Sequence, residues 1–226
     1  MKRIILPLFF TFFLTNVFAQ EFYVNADFVS NYIWRGLKNG NAAVQPAIGY
    51  TIGGFTIEAW GSTEFRKSNN EIDFLLSYEY NNFVISLTDI YTQNDDIKSD
   101  FFNYSSRTTG HILDLGLQYT VSEKLPLSIG WYTLIAGNDY KENDKRAWSS
   151  YVELKYLFTI KDIDLEIEAG LSPWEGMYAT KFDVTNIALK ATKEFRVTDT
   201  FHLPLFGKIG TNPHEKKLFF VVGFSL

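Results

Sequence analysis

The sequence predicts an all-β fold: a transmembrane antiparallel up-and-down β-barrel of about twelve strands, formed by residues 20–226 as a single domain behind a cleaved signal peptide at 1–19. Three observations carry that expectation. Apolar and polar side chains alternate with period two along most of the chain, and no helical 3.6-residue period of any length occurs. Most alternating runs have the ~9–11 residues of a tilted membrane strand, where soluble strands have a mode of about 5–6. The connections between runs alternate short and longer without exception.

The first element is MKRIILPLFFTFFLTNVFAQ. Lys2 and Arg3 precede an apolar run from Ile4 to Phe18, and Val17 and Ala19 stand three and one residues before a cut ahead of Gln20. That is the layout of a secretory signal peptide, and the run is shorter than the ~20 residues a membrane-spanning helix needs. Removing Lys2 and Arg3 takes the net charge from -5 to -7, which argues against a nucleic-acid partner. The chain has no cysteine, so disulfides, thiol chemistry and Cys-ligated zinc are excluded. No later segment approaches ~18 consecutive apolar residues, so no transmembrane helix is expected.

The strands follow near 22–35, 43–53, 55–65, 71–81, 83–93, 110–121, 125–138, 146–160, 163–173, 183–196, 202–211 and 216–226. The alternation is clearest where Trp148, Ser150, Val152, Leu154, Tyr156, Phe158 and Ile160 oppose Ala147, Ser149, Tyr151, Glu153, Lys155, Leu157 and Thr159. Gly53-Gly54 and Asn81-Asn82 supply the positive φ that tight hairpins need. Ser122-Glu123-Lys124, Lys161-Asp162 and 197–201 are also short. The longer connections are 36–42, 66–70, 94–109, 139–145, 174–182 and 212–215. Outer-membrane barrels have short periplasmic turns and longer outside loops, and an even strand count puts both termini on the periplasmic side.

The last run, KKLFFVVGFSL, presents Leu218, Phe220, Val222, Phe224 and Leu226 on one face and Phe219, Val221, Gly223 and Ser225 on the other. It has to pair with the first strand to remove both sheet edges, with its larger apolar face toward hydrocarbon. Aromatic residues make up 17% of the chain, which suits the girdles of a membrane barrel. Trp34, Trp131, Trp148 and Trp174 fall near strand ends and are expected as interface anchors.

Three stretches, DFVSNYIWRGLKNGNAAVQPAIGY (27–50), TGHILDLGLQY (109–119) and PLFGKIGTNPHEKKLFFVVGFSL (204–226), are similar to the TorF-like family of outer-membrane porins. The motif residues are Tyr32, Arg35, Gly36, Gln45 and Pro46. The resemblance implies an exported β-barrel of Gram-negative bacteria and a channel, and brings no substrate or catalytic residue. The C-terminal run also resembles the assembly signal of outer-membrane barrels, with Leu226 in place of the usual terminal Phe and Phe224 two residues earlier. A barrel-assembly machinery is thus an expected partner, beside the bilayer itself.

Charges gather on the face opposite the lipid side: Asp27, Arg35, Glu58, Glu64, Asp73, Glu79, Asp114, Glu153, Lys155, Asp164, Glu166, Glu168, Lys190, Glu194, Arg196 and Lys208. Arg or Lys at mid-depth on a lipid face costs ~2–4 kcal/mol, so the lumen is their natural place. One reading is a water-filled, cation-favouring pore with a constriction lined by Glu58, Asp73, Glu79, Asp114, Glu153, Glu166 and Glu168, opposed by Arg35 and Lys190. It would pass small polar, neutral or cationic solutes. The other is a lumen closed by acid–base pairs in which Arg35, Lys155 and Lys190 bridge carboxylates, leaving a structural or adhesion barrel that binds partners with its outer loops.

Catalysis is not expected, nor is a cofactor or metal. Carboxylate pairs such as Glu166/Glu168 arise from alternation alone. The loop 94–111 holds Asp95, Asp96, Asp100 and His111 without EF-hand spacing; it is expected solvated or folded into the barrel mouth. His111 with Asp114 and Asp89 is the best candidate cluster for a lipid-directed enzyme, but no Gly-x-Ser-x-Gly elbow occurs. Parity puts Asp89 outward, so either a bulge reorients that strand or Asp89 sits at the interface.

Overall fold

The computed structural model describes residues 20–66, 69–94 and 100–226. The expected signal peptide, Asp95 and Asp96 lie outside the described residues. The strands are β1 (Gln20–Val29), β2 (Tyr32–Trp34), β3 (Leu37–Gly40), β4 (Ala43–Ile52), β5 (Phe55–Glu64), β6 (Asn69–Tyr80), β7 (Phe83–Asn94), β8 (His111–Thr120), β9 (Leu127–Gly137), β10 (Ser150–Ile160), β11 (Ile163–Ser172), β12 (Asp183–Arg196), β13 (His202–Asn212) and β14 (Lys217–Ser225). Among the described residues there is no helix. Twelve strands close into one barrel with sequential neighbours paired, β4 through β14, and β1 joining β14 to β4. Every pair is antiparallel. The remaining two, β2 and β3, pair only with each other.

The short turns gather at one end of the barrel, here the turn end, with the start of β1 and the end of β14. Gly53 and Gly54 both have positive φ, as a two-residue type I′ hairpin requires, and Asn81 and Lys161 adopt the same left-handed region. The longer connections occupy the opposite, loop end.

The wall is apolar outside and polar inside. Ile48, Tyr50, Phe55, Ile57, Phe74, Leu76, Ile85, Leu117, Leu154, Ile167, Leu189 and Ile209 all project outward and are exposed, while Gln45, Glu64, Glu71, Asp114, Glu153, Glu168 and Asn186 are buried within. On β14 the outward set is Leu218, Phe220, Val222, Phe224 and Leu226, with Leu218 85% and Phe220 59% exposed. A soluble monomer rarely shows so continuous an apolar surface.

The first expected strand, 22–35, ends early. The wall strand stops at Val29, and Ser30 and Asn31 turn the chain into the barrel. There Trp34 pairs with Leu37 across Arg35 and Gly36, whose φ values of 51° and 81° form the two-residue turn of the β2–β3 hairpin. The segment expected as a loop at 36–42 therefore carries β3. Likewise 146–149 belong to a connection and not to the strand expected over 146–160, because Trp148 takes φ 52°.

Two bulges break the ladders of the wall, and the β2–β3 hairpin has a register shift of its own between Tyr32 and Ile33. One wall bulge lies opposite Leu113/Asp114 on β9, the other opposite Gly170/Leu171 on β12, where Thr185 is the extra residue. Both sit where the inward hairpin meets the wall.

Candidate functional site

The hairpin spans the loop end of the lumen. Arg35 at its tip donates from Nη2 to Asp114 Oδ2 at 2.5 Å and from Nη1 to the Tyr178 hydroxyl at 2.5 Å. Its guanidinium lies 4.5 Å from the Trp34 ring centroid, 4.4 Å from Tyr132, 5.4 Å from Tyr151 and 5.6 Å from Tyr178. Four aromatic faces and one carboxylate thus enclose one cation, an arrangement suited to the weakly hydrated, planar guanidinium. Burial pushes the Tyr178 phenol above its ordinary value, so it accepts from Arg35 as a neutral group.

Small residues make room for the rings. A side chain on Gly170 would collide with Tyr151, and one on Gly130 with Tyr132. At Gly36 a Cβ would run into the Thr185 carbonyl, and the positive φ there adds to the demand for glycine. The carbonyl of Gly36 accepts from Asn212 Nδ2 at 3.2 Å. Tyr178 is positioned by two connections tied together: Ser149 donates to Asp139 through its hydroxyl at 2.5 Å and its amide at 2.9 Å, and its hydroxyl accepts from the Met177 amide at 2.6 Å.

Across the lumen the same hairpin offers neutral donors. The Tyr32 hydroxyl donates to Glu71 Oε1 at 2.7 Å, its ring lies 5.5 Å from Trp60, and Asn41 Nδ2 donates to Glu64 Oε2 at 2.9 Å. Glu71, Trp60, Tyr132, Tyr151 and Tyr178 are not among the lumen residues expected from the sequence. Parity with Asp73 places Glu71 inward; the tyrosine cage has no sequence signal because its members come from β9, β10 and a loop.

The nine residues singled out for the lumen all lie inside, but they are not one ring. Glu153 pairs with Lys155 at 3.0 Å, and Glu168 is held by Lys208 at 2.7 and 2.8 Å and by Asn186 Nδ2 at 2.9 Å. Lys190 stands opposite Glu166 in register, yet its ammonium lies 4.7 Å from the Phe206 ring centroid. Lys208, not Lys190, bridges a carboxylate. Asp114, Glu153 and Glu168 are buried; Glu58, which accepts from the Tyr23 hydroxyl at 2.6 Å, and Glu79 are not. None of the strands β4, β5, β6 and β7 carries a lysine or arginine; the bases of this stretch, Arg66 and Lys67, fall in the β5–β6 connection. A cavity of about 170 Å³ under the hairpin is lined by Asp27, Gln45, Glu166, Lys190 and Lys208 among others. The turn-end mouth, beside Glu79, Asn82, Thr120 and Lys124, holds a further space of about 580 Å³.

The chain matches no protein-family model and no curated protein.

Trp34 is a correction: it lies on the inward hairpin against Tyr178, ring centroids 5.6 Å apart, because the chain leaves the wall before reaching it. Trp131, Trp148 and Trp174 instead form one outward cluster, with Trp131 and Trp174 5.9 Å apart and Trp174 Nε1 donating to the Trp148 carbonyl at 2.9 Å.

The cluster of His111, Asp89 and Asp114 is split by the wall. Asp89 faces outward on an unbulged β7. His111 Nδ1 lies 2.9 Å from Asp89 and its Nε2 2.6 Å from the Phe101 carbonyl, while Tyr104 stacks on the imidazole at 4.1 Å. Residues 100–104 therefore fold onto the outside of the wall, not into the mouth, whereas Asp114 faces the lumen. Among the described residues no group of three or more His, Asp or Glu is arranged to hold a metal ion.

Proposed function

We propose that the protein is an outer-membrane barrel of a Gram-negative bacterium, a narrow channel for small polar, neutral or cationic solutes with the 30–42 hairpin setting its constriction. The inverted wall supports the membrane: large apolar side chains outside, carboxylates inside. In this reading the turn end faces the periplasm, residues 1–19 are a cleaved signal peptide, and the β14 strand is offered to the assembly machinery. The resemblance to TorF-like porins belongs to the same proposal.

The observation that carries the channel is the acidic arc from β4 to β7, which opens without a compensating base toward the turn end. Carboxylates so placed attract cations and keep the lumen wet. The hairpin narrows the loop end, and solute passes only where Arg35 and its cage leave room. Planar-bilayer recording in a salt gradient tests this. The wild type is expected to give small cation-selective steps, and replacing 31–41 by a short Gly-Ser turn to enlarge them several-fold with selectivity kept. A folded hairpin-free barrel that stays silent would end the channel reading. It would favour the second one, a closed barrel that binds partners through its loops, which the caged Arg35 and the tied 138–149 and 173–182 connections already favour.

A further inference from the structure

The barrel wall is incomplete at one place. Wall strand β1 ends at Val29 and β4 begins at Ala43, directly opposite it. β5 stops level with them, Glu64 pairing with Ala43, but the neighbour β14 runs on beyond Gly223, the partner of Val29, to Lys217. A notch about 15 Å high is left beside Lys217–Val221, at ~3.3 Å per residue, and the hairpin fills only the space behind it.

The exposed edge of β14 is met by Ser30 and Asn31 instead of a continuing strand. Ser30 donates its amide to the Val222 carbonyl at 2.9 Å and accepts from the Val222 amide on Oγ at 3.0 Å. Asn31 Nδ2 donates to the Phe220 carbonyl at 3.2 Å. An incoming peptide strand would find these edge groups already engaged. What remains is a cleft of about 250 Å³ between hairpin and wall, lined by Asn31, Ile33, Lys38, Leu218, Phe219 and Phe220.

The cleft is apolar in its depth and basic at its lip. Ile33, Leu218, Phe219 and Phe220 form the lower part. Lys38, Lys217 and Glu215 line its loop end, with Glu215 Oε2 2.9 Å from Lys217 Nζ, and Lys216 is the exposed residue between that pair in the chain. Lys38 and Lys216 have no ion partner among the described residues. This is a positive patch on a chain of net charge -5, at the height where the outward apolar face of β14 gives way to polar residues.

We propose that this cleft binds one acyl chain of an anionic lipid from the outer leaflet, its phosphate held by Lys38 and Lys216 and its chain lying on Ile33 and Phe220. The site rests on the membrane reading above. Ammonium groups at headgroup depth attract phosphate, and the apolar depth of the cleft lies where a chain descending from that phosphate would run.

The test uses the full chain folded into phosphatidylcholine vesicles containing phosphatidylglycerol, followed by native mass spectrometry of the protein released from them. The wild type is expected to retain one phosphatidylglycerol. Ile33→Trp, which fills the cleft, is expected to retain none. A Lys38→Glu/Lys216→Glu double variant, changed only at the surface, is expected to lose the preference over phosphatidylcholine by roughly ten-fold or more. Equal retention by wild type and both variants overturns the site while leaving the membrane reading intact. Failure of the wild type to insert at all, read by carbonate extraction of the vesicles, overturns both.

Discussion

The arc of wall from β4 to β7 and the arc from β8 to β13 share one strand geometry and differ in how they carry charge. The first holds Glu58, Glu64, Glu71, Asp73 and Glu79 on its inner face and no base at all. The second holds Asp114, Glu153, Glu166 and Glu168 together with Lys155, Lys190 and Lys208, and adds Arg35 from the hairpin. Where carboxylates of the second arc are buried, as Asp114, Glu153 and Glu168 are, a cation lies against each. Where those of the first arc are buried, as Glu64 and Glu71 are, neutral donors serve them, Asn41 and Tyr32. Both donors and Arg35 belong to the hairpin, so one segment presents a cation to the mixed arc and neutral hydroxyl and amide groups to the acidic one. On the acidic side Glu64 and Glu71 borrow a donor from the hairpin, Glu58 and Glu79 are not buried, and Asp73 Oδ1 is buried without a hydrogen-bond partner among the described residues.

Breaking an ion pair on the mixed arc should have the largest effect. Lys208→Met leaves Glu168 buried with only Asn186 as donor, and removal of one partner from a buried pair costs about 3–5 kcal/mol. The urea midpoint of the detergent-folded barrel, followed by the mobility shift between folded and unfolded bands, should fall accordingly. Replacing Lys208 and Glu168 together, by Met and Gln, should recover most of that loss. A single variant as stable as wild type would mean that Glu168 is hydrated, and that the two arcs do not differ in the way described.

The acidic arc should respond more mildly. Tyr32→Phe removes one donor from Glu71 and leaves Thr92, whose hydroxyl is 3.4 Å away. A lost hydrogen bond to a charged group is worth about 1.5–3 kcal/mol. The same urea titration should show a smaller decrease than Lys208→Met, and limited proteolysis should show easier cutting within 30–42, since Tyr32 ties that segment to β6. Unchanged cutting would mean that the Arg35 cage alone holds the hairpin.

How much of this could be read from the sequence follows from what alternation encodes. Period two assigns each side chain to one of two faces, so the outward row Leu218–Leu226, the outward Asp89 and the inward Glu153, Glu166 and Glu168 were all legible. It carries no information on whether a segment is still in the wall. Tyr32, Ile33 and Trp34 continue the pattern of β1, and only the length of the expected strand 22–35, beyond the ~9–11 residues needed, hinted at a surplus. The turn that uses the surplus is disguised too: type I′ favours Asn-Gly, and here Arg35 takes the first position because the cage holds it there. The partners of Arg35 come from β8, β9, β10 and the 173–182 connection, and no local pattern predicts a meeting of four separate segments. Lys190 shows the remaining limit, since register puts it opposite Glu166 while its ammonium rests over Phe206.

The smallest change in stability, and the sharpest test of what the acidic arc is for, comes from its hydrated members. Glu79 is exposed at the turn-end mouth, and among the described residues Glu58 accepts a side-chain hydrogen bond from Tyr23 alone. Glu58→Gln/Glu79→Gln keeps shape and hydrogen-bonding capacity and removes two negative charges from a wall that has no positive ones. The urea midpoint should stay where it is, because no buried pair is broken. The reversal potential of the barrel in a salt gradient should move toward zero. The matched double change on the mixed arc, Glu166→Gln/Lys190→Gln, removes one charge of each sign and should leave the reversal potential alone. If both pairs shift it equally, cation preference follows the net charge of the whole lumen and not the uncompensated arc. If neither shifts it, the carboxylates of β4 to β7 do not line the path of the ions, and their role is confined to the two that the hairpin touches, Glu64 and Glu71.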